Sequence, residues 1–395
     1  MKILHVLPAL SKGGAERVAV DLANRAVADG HHATLLVATA APDEILPVPL
    51  DPRVERRTIY PNGAGRMARY ARILGWTAAN RQWLASFDAI HCHLTFATLF
   101  GEAARRTLRA IPAARRPVIV ETNHGVGLDN RRAVLALFSR LLARRDAVAF
   151  MAFDPFWRRF AARHSELLTR LIPNGVSLPE PPSQPSARIA VRERFGIPLD
   201  APVAGTVGRM VAERRPRLYL PAFAEIDRAR GGRAHFVIGG AGPEVEPVRQ
   251  IAAELGLAGR VHLPGLVTDP VPLMAGFDLY LTMMVGEQAG IAALEAAAVG
   301  VPVLGIQLGD EVAAEADHWL PSDRDPAALG QVAAGLLARP EALAALADRQ
   351  LEYVWTHHSA VAMARAYYKF YRDAAAQAGL HMSPDPQQTV DFKRQ

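Results

Sequence analysis

The chain has 395 residues, a formal net charge of +6, half of its residues apolar, 21% charged, and a single cysteine, Cys92. That length accommodates two domains of ordinary size, and the composition excludes a disordered, fibrous or disulfide-stapled protein. One cysteine fits a reducing cytosol. The positive charge is uneven, because residues 1–180 carry 25 Lys/Arg against 15 Asp/Glu while residues 181–395 carry 20 against 24. Clusters such as Arg66/Arg69/Arg72, Arg105/Arg106/Arg109, Arg131/Arg132 and Arg144/Arg145 hold much of the excess. They read either as solvated helix faces or as a surface that meets an anionic membrane or a phosphorylated acceptor. No aromatic-plus-basic stripe or binding motif points to nucleic acid.

The start, MKILHVLPAL, is broken by His5 and Pro8 and lacks a small-residue cleavage site, so it reads as a strand over residues 3–10 and not as a signal peptide. A glycine turn follows, then a helix over 16–29 with Val18, Leu22 and Ala26 at helical spacing, then a strand over 32–39. This β-α-β start predicts a parallel sheet. Gly13-Gly14 lies at the C-terminal edge of its first strand, where open α/β sheets bind ligands, but is not a G-x-G-x-x-G fingerprint.

A proline-broken stretch over 42–61 precedes a helix over 66–87. Strands at 89–92 and 118–121 follow, the first carrying His91 and His93 on one face with Cys92 on the other. The second runs into His124-Gly125, which puts His124 at a strand's C-terminal end, where such sheets present functional side chains. No His/Cys/Asp/Glu cluster shows metal-ligand spacing along the chain. Residues 131–145 and 155–164 read as helices and 170–172 as a short strand.

The proline-rich run Pro179-Glu180-Pro181-Pro182-Ser183-Gln184-Pro185-Ser186 predicts a linker over 179–190 between domains at 1–178 and 191–355. Beyond it, strands at 203–207, 235–239, 261–263, 279–283 and 301–305 alternate with helices, predicting a second doubly wound sheet. A final helix over 356–376 and a flexible tail over 377–395 complete the chain. The apolar stretch 279–306 is interrupted by Glu287, Gln288 and Glu295, which argues for a buried strand and helix and against a membrane span.

The strongest chemical signal is GEQAGIAALEAAAVGVPVLG over residues 286–305. Glu287 stands beside the start of a helix near Ala289–Gly290, whose free N–H groups and positive dipole end suit an anionic diphosphate. Glu295 follows eight residues on, roughly 12 Å at the helical rise. A sugar linked to a nucleoside diphosphate is about that long. Arg209 and Arg214, from the loop after residues 203–207, supply the charge that a departing diphosphate needs without a metal.

Four stretches, LPALSKGGAERVAVDLA at the front, IPNGV at 172–176, VGRMVAERRP at 207–216 and the E-x7-E segment from Glu287, resemble the retaining glycosyltransferases of family 4. The resemblance covers the chain to about residue 376 and implies the GT-B fold, α/β with two facing Rossmann-like doubly wound domains and a cleft between them. It implies that Arg209 and Arg214 hold the donor diphosphate, that Glu287 with the backbone of Ala289, Gly290 and Ile291 holds sugar and phosphates, and that Glu295 binds ribose. It further implies that Gly13 and Gly14 let the front loop approach the donor, and that His124 sits near the reacting centre. Glu287, His124 and Arg209 are the implied catalytic group. A retaining, metal-independent transfer of a hexose from a UDP- or GDP-sugar to a glycan or lipid-linked acceptor follows, with no cofactor and no obligate protein partner. The implied setting is the cytoplasm or the inner face of the membrane, building a bacterial polysaccharide or lipopolysaccharide. A nucleotide-sugar epimerase and a catalytically lapsed scaffold are the alternatives. Departures from the family pattern are Arg214 and Met284, where lysine and serine are usual, and Gln288-Ala289 within the usual E-G-F-G.

Overall fold

The computed structural model of the chain describes residues 1–10, 13–39, 49–60, 66–124, 132–151, 155–177, 184–285, 290–308 and 321–383. The chain forms two compact units, residues 1–175 with 360–395, and residues 176–359.

The first unit holds a seven-stranded sheet: β1 Lys2–Leu7, β2 His32–Thr39, β3 Glu55–Tyr60, β4 Ala89–His93, β5 Val118–Asn123, β6 Ala147–Phe150 and β7 Leu168–Leu171, in the order β3-β2-β1-β4-β5-β6-β7. The second holds β8 Val203–Val207, β9 His235–Gly239, β10 Val261–His262, β11 Leu279–Val285, β12 Val303–Leu308 and β13 Ser322–Asp323, in the order β10-β9-β8-β11-β12-β13. Every pairing among the described strands is parallel. Central strands such as β4 and β8 are buried along nearly their whole length, as sheets covered on both faces require, which is why they read as apolar runs and not as alternating ones.

The expected linker needs correction. Residues 184–190 are not a linker: the helix Gln184–Phe195 takes them into the second unit. Pro185 falls in its first turn, where the missing N–H has no intrahelical partner to lose. Its inward face buries Ala187 and Val191, and the buried Arg192 donates to Asp278 at 2.7 Å, to the Ala201 carbonyl at 2.9 Å and to the Gly276 carbonyl at 3.2 Å. Residues 179–183 lie outside the described residues. Other elements that escaped the sequence reading are β3, β6, β13 and the helices Leu94–Leu108 and Pro270–Ala275. β3 reads ERRTIY and is an edge strand with its first half exposed. The helix starts directly from the last residue of β4 with no intervening loop, His93 serving as its N-cap. The tail expected from 377 starts as an ordered segment, since Ser383 donates to Asp88 at 2.8 Å; residues 384–395 lie outside the described ones.

The final helix, Ala360–Gln377, belongs to the first unit because its tyrosines find partners there. The Tyr371 hydroxyl meets His91 at 2.8 Å, the Tyr367 hydroxyl meets Thr122 at 2.8 Å, and the Tyr368 hydroxyl donates to Asp29 at 3.1 Å.

Several front-half arginines are engaged inside the fold. Arg145 is fully buried and pairs with the buried Glu121 at 2.8 Å. Arg105, Arg106 and Arg144 converge on Glu102 at 3.0, 2.7 and 3.0 Å. Partial burial pushes the Glu102 carboxyl up, but hydrogen bonds and charge from Arg105 and Arg106 overcome it and bring the pKa down to about 2. A carboxyl held below its unfolded value contributes stability that is present above pH ~4.5 and is lost as pH falls toward 2. Because the arginines are half exposed, solvent screening limits the clasp to on the order of 1–2 kcal/mol. Glu102→Gln is therefore expected to lower the unfolding temperature by a few degrees at pH 7 and to match the native chain near pH 2, as read by thermal unfolding monitored by circular dichroism.

Candidate functional site

Each sheet reverses its strand order once, at β1/β4 in the first unit and at β8/β11 in the second. At such a reversal the connections on either side leave for opposite faces, and a crevice opens beyond the carboxyl ends of the two strands. Of the residues singled out from the sequence, those that the structure describes follow strands at or next to these two places.

In the second unit, the loop after β8 carries Arg209 and Arg214, both exposed, and neither forms an ion pair among the described residues. The loop itself is held firmly. Gly208 N–H donates to the Gly239 carbonyl at 2.9 Å, Met210 N–H to the Ala241 carbonyl at 2.9 Å, and Glu244 N–H to the Met210 carbonyl at 3.0 Å. Arg217 forks onto Glu244 at 2.6 and 3.1 Å. Gly240 and Gly242 make this approach possible: both have φ of +147°, and a Cβ would stand 1.8 Å from the Gly208 carbonyl oxygen and 2.2 Å from that of Met210, respectively. Arg215 takes the left-handed conformation at φ +46°, which turns the chain after the short 3-10 helix Ala212–Arg214.

Two buried tyrosines tie the strand ends together. The Tyr280 hydroxyl, from β11, accepts from Val207 N–H at 3.0 Å and donates to the Val207 carbonyl at 3.1 Å, fixing the last residue of β8. The Tyr219 hydroxyl hydrogen-bonds the Thr206 side chain and the Met283 backbone, so it spans from β8 to β11. Burial pushes the Tyr219 pKa up to about 12 and that of Tyr280 well above its ordinary value, with the charge of Glu295 adding to the latter. Both phenols therefore stay neutral and act as hydrogen-bonding struts. Neither was visible in the sequence, where each reads as an ordinary core aromatic; the signal would have been the partner at the opposing strand end.

The helix expected after Glu287 runs Ile291–Ala298, with exposed Gly290 as its extended N-cap and no side chain closing the first turn. Its leading N–H groups have no intrahelical acceptor. Glu295 is 4% exposed on this helix, so it faces the interior and not solvent. Glu287 and Ala289 lie outside the described residues.

In the first unit, Gly13 is the N-cap and Gly14 the first residue of the helix Gly14–Ala28, directly beyond β1. His124 follows β5 and is half-buried, its Nε2 at 2.9 Å from His93 Nδ1 and its Nδ1 at 3.0 Å from Met151 Sδ. The structure adds what spacing along the chain hid. His5, His91 and His93 come from positions far apart or two apart, yet their nitrogens gather within 4.8 Å of one another. His5 and His91 are paired in register across β1 and β4, and the His91 and His93 rings stand 3.9 Å apart on one face, with Cys92 on the other beside Gly101 and Arg145. No helix among the described residues is long and apolar enough to cross a membrane.

Two family models match successive stretches of the chain: Glycosyltransferase Family 4 over residues 12–179 and Glycosyl transferases group 1 over residues 201–339. The chain is similar to a 2-deoxystreptamine N-acetyl-D-glucosaminyltransferase of Streptomyces fradiae, 33% identical over 172 residues, 42% of this chain and 41% of that protein. It is also similar to a GDP-mannose-dependent alpha-(1-6)-phosphatidylinositol monomannoside mannosyltransferase of Mycolicibacterium smegmatis, 28% identical over 253 residues, 60% of this chain and 61% of that one. Both matches span less than two thirds of the relative's own length. Among solved structures, Anabaena Alr3699/HepE in complex with UDP-glucose shares the fold at a TM-score of 0.70 and 19% identity, over 94% of this chain and 100% of that chain. The fold is GT-B.

Removing the Tyr280 hydroxyl leaves the Val207 N–H and carbonyl without that partner in a part-buried place, a loss of roughly 1–2 kcal/mol. Tyr280→Phe is expected to lower stability by that amount and to speed amide hydrogen exchange selectively at residues 207–210, measured by mass spectrometry.

Proposed function

The chain belongs to the glycosyltransferases of the family 4 type, and from that premise we propose that it moves a hexose from a UDP- or GDP-sugar to a glycan or lipid-linked acceptor, with retention and without a metal. The observation that carries this reading is the position of Arg209 and Arg214, both exposed with no ion-pair partner among the described residues, on the braced loop that follows β8 at the reversal of strand order. Two guanidinium groups on a rigid loop at a switch point match a diphosphate: they fork onto its oxygens and stabilise the charge that gathers as the bond from sugar C1 to the phosphate oxygen breaks. The acceptor hydroxyl forms the new bond at C1 and gives up its proton, and the electron pair of the broken bond leaves with the nucleoside diphosphate.

The remaining roles follow the resemblance. Glu287 and the backbone of Ala289, Gly290 and Ile291, at the start of a helix, hold sugar hydroxyls and phosphate. Glu295, buried and already hydrogen-bonded or charge-coupled to its surroundings, offers a preset acceptor to the ribose. In the first unit, Gly13 and Gly14 let backbone approach the donor, and His124 stands by the reacting sugar. A cytoplasmic setting, an anionic membrane surface as docking partner, and a product among bacterial surface glycans or lipopolysaccharides belong to the same proposal. The GDP-mannose and 2-deoxystreptamine named for the relatives, and the UDP-glucose bound in the structural neighbour, keep both donor nucleotides and more than one acceptor class open to test.

Binding of UDP, GDP and their sugars by calorimetry, followed by an acceptor panel, tests the reading. Arg209→Ala and Glu287→Ala are each expected to cut transfer on the order of 100-fold or more with the circular dichroism spectrum unchanged, and Arg214→Ala to weaken nucleotide binding. Near-native turnover in either of the first two removes the site assignment. No binding of any donor favours the scaffold alternative, and release of free nucleoside diphosphate with no acceptor product favours the epimerase.

A further inference from the structure

The histidines at the first unit's switch point form a directed chain. His5 Nδ1 lies 3.2 Å from His93 Nε2, His93 Nδ1 lies 2.9 Å from His124 Nε2, and His124 Nδ1 lies 3.0 Å from Met151 Sδ. His5 Nε2, at the far end, is buried and has no partner among the described residues. His91 stands apart from this chain: its Nδ1 meets the Tyr371 hydroxyl at 2.8 Å and its Nε2 the Thr122 hydroxyl at 2.7 Å. Burial holds all four rings neutral, His5 and His124 down to about 3 and His91 and His93 well below their ordinary value, so each carries one N–H.

One N–H per ring leaves two consistent arrangements for the chain of three. In the first, every ring is protonated at Nδ1: His5 donates to His93, His93 to His124, and His124 to the thioether of Met151, leaving a lone pair at His5 Nε2. In the second, every ring is protonated at Nε2: His124 Nδ1 then turns a lone pair on a sulfur that has no proton to give, and His5 buries an N–H with no acceptor. An orphaned buried donor is rarer and costlier than an under-used acceptor, so the first arrangement prevails.

We infer that His5 and His93 are positioning residues that act through His124, holding it as the Nδ1–H tautomer and presenting that N–H as a donor to an oxygen of the bound sugar. The bond to Met151 Sδ is weak and yields readily to a better acceptor. His124 then serves as a neutral donor and not as an acid or base. The sugar in this statement rests on the transferase reading; the tautomer rests on the hydrogen bonds and on the neutrality of the buried rings. A metal held by His5, His91 and His93 is the rival use of these rings. It would break a hydrogen bond at His91 and another at His93, where both nitrogens are taken.

The test is nitrogen-15 NMR of histidine-labelled full-length chain at pH 7, with His5→Phe, His93→Phe and His124→Phe to assign the rings among its 13 histidines. The expected result is three Nδ1–H rings that do not titrate down to pH 5, and loss of the fixed His124 tautomer in His93→Phe. An Nε2–H ring at His124 in the native chain overturns the inference, as does one equivalent of bound transition metal by elemental analysis that disappears in His5→Phe. In kinetics, His93→Phe is expected to lower kcat by tenfold to a hundredfold, within the range general for a misplaced active-site group, with the donor KM within twofold. The double variant with His124→Phe is expected to be no slower than His124→Phe alone, and additive losses overturn the relay. His93→Gln, read with its unfolding temperature, separates the relay from simple unfolding: a well-folded His93→Gln with native kcat and an unchanged His124 tautomer also overturns it. Should the tautomers be as expected while the native chain turns over no donor, it is the transferase reading that fails.

Discussion

The reversal of strand order in each sheet is the constraint on which the rest depends. Parallel strands joined by right-handed crossovers must send their helices to one face or the other, and only where the direction of winding changes does the sheet edge stay open. β1/β4 and β8/β11 are those places, and each gathers side chains from strands distant in sequence. In the second unit the opening holds exposed cations on a braced loop; in the first it holds a row of neutral rings.

The two openings are held by different chemistry for one reason: a buried polar group must be paired or it destabilises the fold. Tyr219 and Tyr280 keep their hydroxyls neutral and use them as struts between β8 and β11. At the first unit's opening His5, His93 and His124 pair in a row and His91 pairs with Thr122 and Tyr371, which leaves His5 Nε2 as the exception. Buried charges follow the same rule, as in Arg145 with Glu121 and Arg192 with Asp278. Against that background, Arg209 and Arg214 leave their charge exposed on a braced loop, which is what the proposed role as diphosphate ligands requires. Of the front-half arginines that suggested a free basic surface, Arg105, Arg106 and Arg144 instead close on Glu102, and Arg145 pairs with Glu121.

Much of the architecture was legible because parallel sheets impose strong local signals. Apolar runs such as 203–207 and 235–239 matched β8 and β9 residue for residue, and 32–39 matched β2. Where local signals fail, the reading failed: β3 is polar because it is an edge, and the helix from Leu94 has no loop before it. The helix Gln184–Phe195 hides in a proline-rich stretch because its one internal proline sits where a helix tolerates it.

By itself, the sequence determined two α/β units, the positions of Arg209, Arg214, Gly13, Gly14 and His124 after strand ends or at a helix start, that of Glu295 within a helix, and the kinship with glycosyltransferases. Those are properties of periodicity, turn chemistry and motif, which live within a few dozen residues. Tertiary structure alone decided that Glu295 is buried, that Tyr280 braces the end of β8, and that His5 meets a histidine 88 positions away. The reason is physical: burial and hydrogen-bond pairing across strands depend on which segments the sheet order makes neighbours, and no local pattern records that order.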